Sequence, residues 1–348
     1  MDLKKFQEKV NKKGYITQLA EPKEWVSTGN LSLNYLITGD FYRGIPTGRQ
    51  VTIAGPQGSG KSFICGNIVK NAQDQGFRAI YIDTETALDY QYLTNIGVSL
   101  DEDKFLPVNV TSVEDCVEVL GELFSHVDNE DEKLLVVIDS ISMMGLKKEL
   151  EGFDKGEMSE DMGRKARRYK DLLRNINSKT GNRNISVISV MHAYEDMNMY
   201  SGQNYRVSGG QSTLFIPSVS LMFEPKKLKE GKEVRGFTLK AETIKTRFDQ
   251  IPGRKIEVEV PWDRGLDPYA GLLPVLEEEG LVEKRHAWYY YVDSQGNQHK
   301  FQKNDLNKHI DEILSQYSSH QKQPSEDFSS EEDVIEDGEN ASLEDFQD

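Results

Sequence analysis

Cysteine is scarce in this 348-residue chain: Cys65 and Cys116 stand alone, without a Cys-x-x-Cys partner or a neighbouring histidine. That excludes a disulfide framework or a zinc site as a leading reading, and a reducing cytoplasm is the expected compartment. Long apolar runs are also absent. No stretch of about 18 apolar residues occurs, and Met1-Asp2-Leu3-Lys4-Lys5 is not followed by an apolar signal-peptide core, so neither membrane spanning nor secretion is expected. Basic residues are outnumbered 42 to 58, for a net charge of -16. Such a deficit ordinarily argues against nucleic acid as a partner, because phosphate binding is driven by Lys and Arg. Its distribution removes the objection. Residues 321–348 hold 11 acidic side chains against Lys322 alone, so the tail contributes -10 and the rest of the chain only -6.

What is present reads as globular: 37% hydrophobic and 29% charged residues, over a length that allows a large domain with a smaller companion. The tail from residue 321 has too few apolar residues to offset chain entropy, so disorder is expected there. Its end, Leu343-Glu344-Asp345-Phe346, suits a docking or self-inhibiting peptide as well as a solubilising one. Between residues 51 and 223, short apolar strands alternate with helical spacings. Val51-Thr52-Ile53-Ala54, Ala79-Ile80-Tyr81-Ile82, Leu134 to Ile138 and Ile185 to Val190 are the strands. Ile64, Ile68 and Ala72 mark one helix, and Ser112 with Asp115 caps another, whose apolar face is Val113, Cys116, Val117, Leu120, Leu123, Phe124 and Val127. An α/β fold with a mostly parallel sheet covered by helices follows. Strict alternation at Phe237, Leu239, Ala241 and Thr243, and at Ile256, Val258 and Val260, predicts an antiparallel extension. Residues 268–320, with a short helix and the hairpin at Trp288 to Val292, read as a small α/β domain.

Gly55-Pro56-Gln57-Gly58-Ser59-Gly60-Lys61-Ser62 matches G-x-x-x-x-G-K-[ST] between a predicted strand and a predicted helix. Glycines let backbone N–H groups turn around phosphates, Lys61 reaches the β and γ phosphates, and the Ser62 hydroxyl can ligate Mg²⁺, so ATP with Mg²⁺ is the expected ligand. Hydrolysis also needs a metal-side carboxylate and a group to orient water. Asp139 ends an apolar strand at the sheet edge where the P-loop lies and takes the first role. Glu85 follows the second strand and is a candidate base, with Asp83 beside it as a rival.

Together these residues resemble the RecA recombinase family, and within it the recombinases of T-even-like bacteriophages. The resemblance runs from about Trp25 to about residue 320 and is carried by Val26-Ser27-Thr28-Gly29-Asn30-Leu31-Ser32-Leu33-Asn34, by Gly48-Arg49 with the P-loop, and by Asp83-Thr84-Glu85-Thr86-Ala87-Leu88-Asp89. It implies a RecA-like core over residues 25–267 and an oligomerisation segment at 1–24, although the short, weakly helical start departs from the family's arm. It selects Glu85 over Asp83 and places Asp89 and Tyr92 at adenine. Lys245 and Arg247, two apart at the end of an alternating strand and so expected on one face, are similar to the cations that RecA-like filaments direct onto the neighbour's γ-phosphate, a pair that hexameric helicases also carry. An exposed basic strand end is the alternative for them.

For DNA, Met162-Gly163-Arg164-Lys165-Ala166-Arg167-Arg168-Tyr169-Lys170 holds five basic residues and no acidic one, suiting a phosphate track or a solvated helix face. The resemblance places Arg167 and Arg174 at DNA-contact positions and Met162-Gly163 at a loop end. A second stretch, His192 to Gln211, reads as an aperiodic loop in which Tyr200 and Arg206 suit stacking and phosphate contact, and Gly209-Gly210 matches the family's glycine pair. His192 stands where RecA has glutamine and matches the phage recombinases; it reads as a γ-phosphate sensor or as a structural histidine. The expectation is an ATP-dependent strand-exchange protein whose partners are single-stranded DNA, homologous duplex, further copies of itself, and single-strand-binding and mediator proteins. A ring helicase motor and a non-exchanging mediator are the alternatives.

Overall fold

The computed structural model describes Lys5 and residues 21–127, 132–156, 162–181, 183–196, 205–249 and 253–320. The acidic tail, most of the segment before Trp25, and Tyr200 lie outside these residues. The chain divides into two compact units, Met1–Val275 and Leu276–Asp348.

In the first unit, β1 (Trp25–Val26) pairs antiparallel with β2 (Ile45–Pro46), and α1 (Leu31–Thr38) runs between them. The strands β3 (Arg49–Gly55), β4 (Arg78–Asp83), β5 (Phe105–Asn109), β6 (Leu134–Asp139), β7 (Ile185–Glu195) and β9 (Val219–Glu230) form a parallel array in the order β9-β3-β7-β6-β4-β5. Two antiparallel strands, β10 (Glu233–Lys245) and β11 (Lys255–Pro261), extend it beyond β9, and the short β8 (Tyr205–Val207) pairs antiparallel with β7. The fold is therefore α/β with a mostly parallel sheet and an antiparallel extension, as the apolar runs and the later alternation predict.

The crossovers are α2 (Lys61–Asp74), the short α3 (Tyr90–Asn95), α4 (Val113–His126), α5 (Lys147–Asp154) and α6 (Met162–Thr180). Ile80, Ile82, Val136, Ile138 and Val187 of the sheet pack with Cys116, Leu120 and Phe124 of α4 and with Tyr169, Leu172, Leu173 and Ile176 of α6. Burial of each such large apolar side chain stabilises the fold by about 1.5–3 kcal/mol. Val117 departs from the expected apolar face of α4: it is 43% exposed. At 100° per residue it lies a quarter turn beyond Cys116 and rotates away from the sheet.

A second departure concerns the stretch from His192. It is not a loop throughout, because β7 continues to Glu195 and pairs with β8 in the register Ala193↔Val207, Tyr194↔Arg206, Glu195↔Tyr205. Ala193 and Val207 are buried on one face while Tyr194 and Arg206 are exposed on the other, a period-2 pattern too short to register in the sequence. The third concerns the cations. β10 ends at Lys245 after a register shift between Thr243 and Lys245, so Arg247 lies past the strand and simple alternation does not relate the two.

The helix α7 (Leu272–Glu278) carries the chain across the division between units. The second unit contains a three-stranded antiparallel sheet, β12 (Glu283–Arg285), β13 (Trp288–Val292) and β14 (Gln298–Phe301), and α8 (Ile310–His320). Tyr289, Tyr291, Phe301, Ile313 and Leu314 are buried in it. Among the described residues, no helix is long and apolar enough to cross a membrane.

Candidate active site

Parallel strands carry their following residues to one sheet edge, and the register sets which residues meet there. Gly55 pairs with His192, and Asp83 with both Asp139 and Asn109. A cleft of about 430 Å³ opens at that edge, lined by residues that include Gln57 to Phe63, Tyr81, Asp83, Glu85, Asp89, Tyr92, Asp139 and His192. Residues from four strand ends thus converge, as expected of ligand sites in open α/β sheets.

The P-loop is set by close packing. Gly60 precedes α2 at φ +84, a left-handed conformation, and a Cβ there would stand 2.9 Å from the Phe237 ring. No side chain caps the first turn of α2, which leaves its N–H groups available for an anion. The Lys61 ammonium donates to the carbonyls of Gly55 (3.0 Å) and Pro56 (2.8 Å). Burial lowers its pKa, against the opposing pull of Asp139 and Glu85.

Asp139 is held on two sides. The buried Tyr81 hydroxyl donates to its Oδ2 at 2.7 Å, and the Ser62 hydroxyl bonds to the same carboxylate. Burial nevertheless raises the Asp139 pKa, with Glu85 adding to the rise. A buried carboxylate beside a hydroxyl is a hard-oxygen donor pair that fits Mg²⁺, whose charge would offset the desolvation.

The two acidic candidates, Asp83 at the end of β4 and Glu85 just after it, separate clearly. Asp83 accepts the backbone N–H groups of Glu85 (3.0 Å) and Leu88 (2.9 Å), so its carboxylate organises the turn. Glu85 instead presents Oε1 to the Ser140 hydroxyl and to His192 Nε2, each at 3.1 Å. Thr84 ties this turn to the end of β6: its hydroxyl donates to Ser140 O at 2.8 Å and accepts the Ser140 N–H at 2.9 Å. Tyr92 also lines the cleft, donating its hydroxyl to Phe63 O (3.1 Å), while Asp89 caps α3 by accepting the Tyr92 N–H (2.9 Å).

The candidate nucleic-acid residues lie outside this cleft. Arg164, Arg167, Arg168 and Arg174 are exposed on α6, opposite its buried face of Tyr169, Leu172, Leu173 and Ile176. Arg174 lies 3.8 Å from Asp171, and Arg206 forms a 3.0 Å ion pair with Asp196. Met162 begins α6. Gly209 and Gly210 form the turn after β8, both at positive φ, and a Cβ on Gly209 would stand 2.9 Å from the Tyr169 ring.

Lys245 and Arg247 lie where the chain runs away from the P-loop edge. β10 is antiparallel to β9 and so runs toward the start of β3: Lys245 pairs with Ser220, which pairs with Thr52 in the middle of β3, and Arg247 lies beyond it, near Arg49 at the start of β3. The Lys245 ammonium donates to the carbonyls of Phe215 and Pro217 at 2.5 Å. Arg49 joins the pair: burial first, and then the nearby Arg247 charge, lowers the pKa of both Arg49 and Lys245. Tyr81, Ser140, Ser142 and Tyr169 were also missed, because their partners lie 25 to 58 residues away and leave no local spacing.

Comparison with known proteins agrees with this architecture. The family model for the RecA N-terminal domain matches residues 2–267. Protein RecA of Paracoccus denitrificans is 30% identical over 271 residues, covering 78% of this chain and 72% of the relative. Protein RecA of Thermus thermophilus is 30% identical over 286 residues, covering 80% of each chain, and that of Nocardioides sp. is 30% identical over 294 residues, covering 83% and 80%. By sequence match and by the sheet that carries its P-loop, the chain belongs to the RecA family.

Proposed function

We propose that this protein is an ATP-dependent DNA recombinase of the UvsX type found in T-even-like bacteriophages. It polymerises on single-stranded DNA, hydrolyses ATP between subunits and pairs the bound strand with homologous duplex, in recombination, repair and recombination-dependent replication. The observation that carries this reading is that β10 carries Lys245 and Arg247 away from the P-loop end of β3, with Arg247 near Arg49 at the start of that strand. Cations there are remote from their own cleft, but a head-to-tail neighbour can present them to the next one, which is how a heterologous interface grows into a helical filament. The edge strand β5 supports self-assembly as well: a groove lined by Leu106, Val108 and the acidic residues Asp115, Glu118 and Glu122 complements the lysine-rich segment before Trp25.

Within each cleft Glu85 polarises the attacking water, Lys61 and the P-loop amides cradle the phosphates, and Tyr92 with Asp89 faces the base. Mg²⁺, held by Ser62 and Asp139, would neutralise phosphate charge. Lys245 and Arg247 of the adjoining subunit stabilise the charge that develops on transfer. His192 senses the γ-phosphate through Glu85. The exposed arginines of α6 and the Gly209–Gly210 turn receive the DNA strand, with single-strand-binding and mediator proteins as accessory partners. The test is D-loop formation from a homologous single strand and supercoiled duplex with ATP and Mg²⁺. Joint molecules that require homology support the reading. Unwinding without pairing would replace it with a ring motor, and ATP binding without either would leave a mediator.

A further inference from the structure

Two buried groups join the nucleotide cleft to both DNA-facing elements. Ser142, just after the Asp139 strand end, accepts the His192 backbone N–H on its hydroxyl at 2.7 Å. Its carbonyl accepts the Tyr169 hydroxyl at 3.0 Å, and Met144 O shares that donor at 2.9 Å. Tyr169 is 2% exposed and belongs to α6, with Lys165 over its ring at 5.9 Å. Gly209 packs closely on the Tyr169 side chain, since a Cβ there would stand 2.9 Å from the ring. The turn carrying Gly209 is rooted in turn on His192, whose carbonyl accepts the Ser208 N–H at 3.0 Å. The route from Glu85 through His192 and Ser142 to Tyr169 therefore reaches the basic helix and the Gly-Gly turn at one ring.

We propose that Tyr169 and Ser142 are positioning residues that make α6 and the Gly209–Gly210 turn move together when the Glu85–His192 contact changes. Neither touches the cleft; both act through His192. Polarity is what the role requires: a buried phenol donating to two carbonyls fixes its ring, whereas an apolar side chain of the same size would fill the space without fixing where it sits. The inference rests on the recombinase reading, because it assigns the coupling to single-stranded DNA.

The test compares full-length wild type, Tyr169→Phe, Ser142→Ala and the double variant. The measurements are ATPase with and without oligothymidylate, oligothymidylate affinity with and without ATP, and thermal midpoint. Tyr169→Phe keeps the ring on Gly209 and removes only the donor. The expected result is a DNA-free ATPase within about twofold of wild type, stimulation by oligothymidylate reduced about tenfold, and a similar loss in the ATP-dependent gain of affinity. Ser142→Ala should give the same split, and the double variant should be no worse than either single one, as expected for groups on one route. Full stimulation in Tyr169→Phe overturns the proposal, as does a fall in DNA-free and stimulated rates by the same factor. If Tyr169→Phe does not fold, Ser142→Ala decides by the same criteria. A wild-type ATPase that DNA does not stimulate would instead overturn the recombinase reading, and this inference with it.

Discussion

Glu85 and His192 are 107 residues apart in the chain and 3.1 Å apart at Oε1 and Nε2, on the same oxygen that receives the Ser140 hydroxyl. A carboxylate held by two neighbours at the mouth of a phosphate cradle is fixed in orientation before any water arrives. That geometry distinguishes it from Asp83, whose oxygens are taken by backbone N–H groups.

Replacing Glu85 by glutamine preserves an acceptor for Ser140 and a partner for His192 while removing the charge. Glu85→Gln should bind ATP and DNA as wild type does but turn over about 100-fold or more slowly. Lys61→Ala should weaken nucleotide binding itself, since it deletes the buried ammonium of the cradle. Equilibrium binding of a fluorescent ATP analogue alongside steady-state ATPase separates the two effects. Near-normal turnover in Glu85→Gln would move the base to another residue.

The sheet and the P-loop were legible because both are local. Leu134 to Ile138 is an uninterrupted apolar run, and the phosphate motif is eight consecutive residues. Such signals survive without tertiary information. The continuation of β7 past His192 was not legible, since Tyr194 and Glu195 are polar and only pairing with three residues of β8 makes them strand. The sequence placed Asp83 and Glu85 at one edge with no basis for choosing between them beyond family resemblance; the hydrogen bonds supply a separate reason. Ser142 and Tyr169 were hidden for a further reason. A hydroxyl's partner across 25 or 50 residues depends on how helices settle on the sheet, and Tyr169 reads only as one member of a basic run.

Subunit coupling can be tested by mixing two inactive proteins. Glu85→Gln lacks the base, and a Lys245→Ala, Arg247→Ala protein lacks the two cations. If those cations serve the neighbouring cleft, mixed assemblies contain some interfaces with both, and ATPase should rise above the sum of the separate activities, with a maximum near equal proportions. No gain at any ratio would indicate that the Lys245 contacts to Phe215 and Pro217 are its whole role.

The tail prediction rests on charge alone. Residues 321–348 carry 11 carboxylates, and tethering gives them a high effective concentration near any basic track on the same chain. Truncation after residue 324 should strengthen duplex binding, more at low salt than at high salt because exposed charges are screened, while leaving DNA-stimulated ATPase largely intact. Equal duplex affinities across a salt series would favour a docking role for Leu343 and Phe346.

The arginines of α6 differ in their surroundings, and a salt titration reads the difference. Arg164, Arg167 and Arg168 share the exposed face, whereas Arg174 lies about two turns beyond Arg167, 3.8 Å from the Asp171 carboxylate. Neutralising one phosphate contact on a single strand lowers the slope of log affinity against log salt by about 0.7. Arg167→Ala should therefore weaken oligothymidylate binding about uniformly across sequences and flatten that slope by about 0.7. Arg174→Ala should flatten it less, since a guanidinium already beside a carboxylate contributes less net charge to the strand. Asp171→Asn supplies the control: releasing Arg174 from its partner should steepen the slope and tighten binding at low salt. Equal slopes for wild type, Arg167→Ala and Arg174→Ala would mean that α6 does not follow the phosphate backbone, and would shift strand contact to the β7–β8 hairpin with Tyr194 and Arg206.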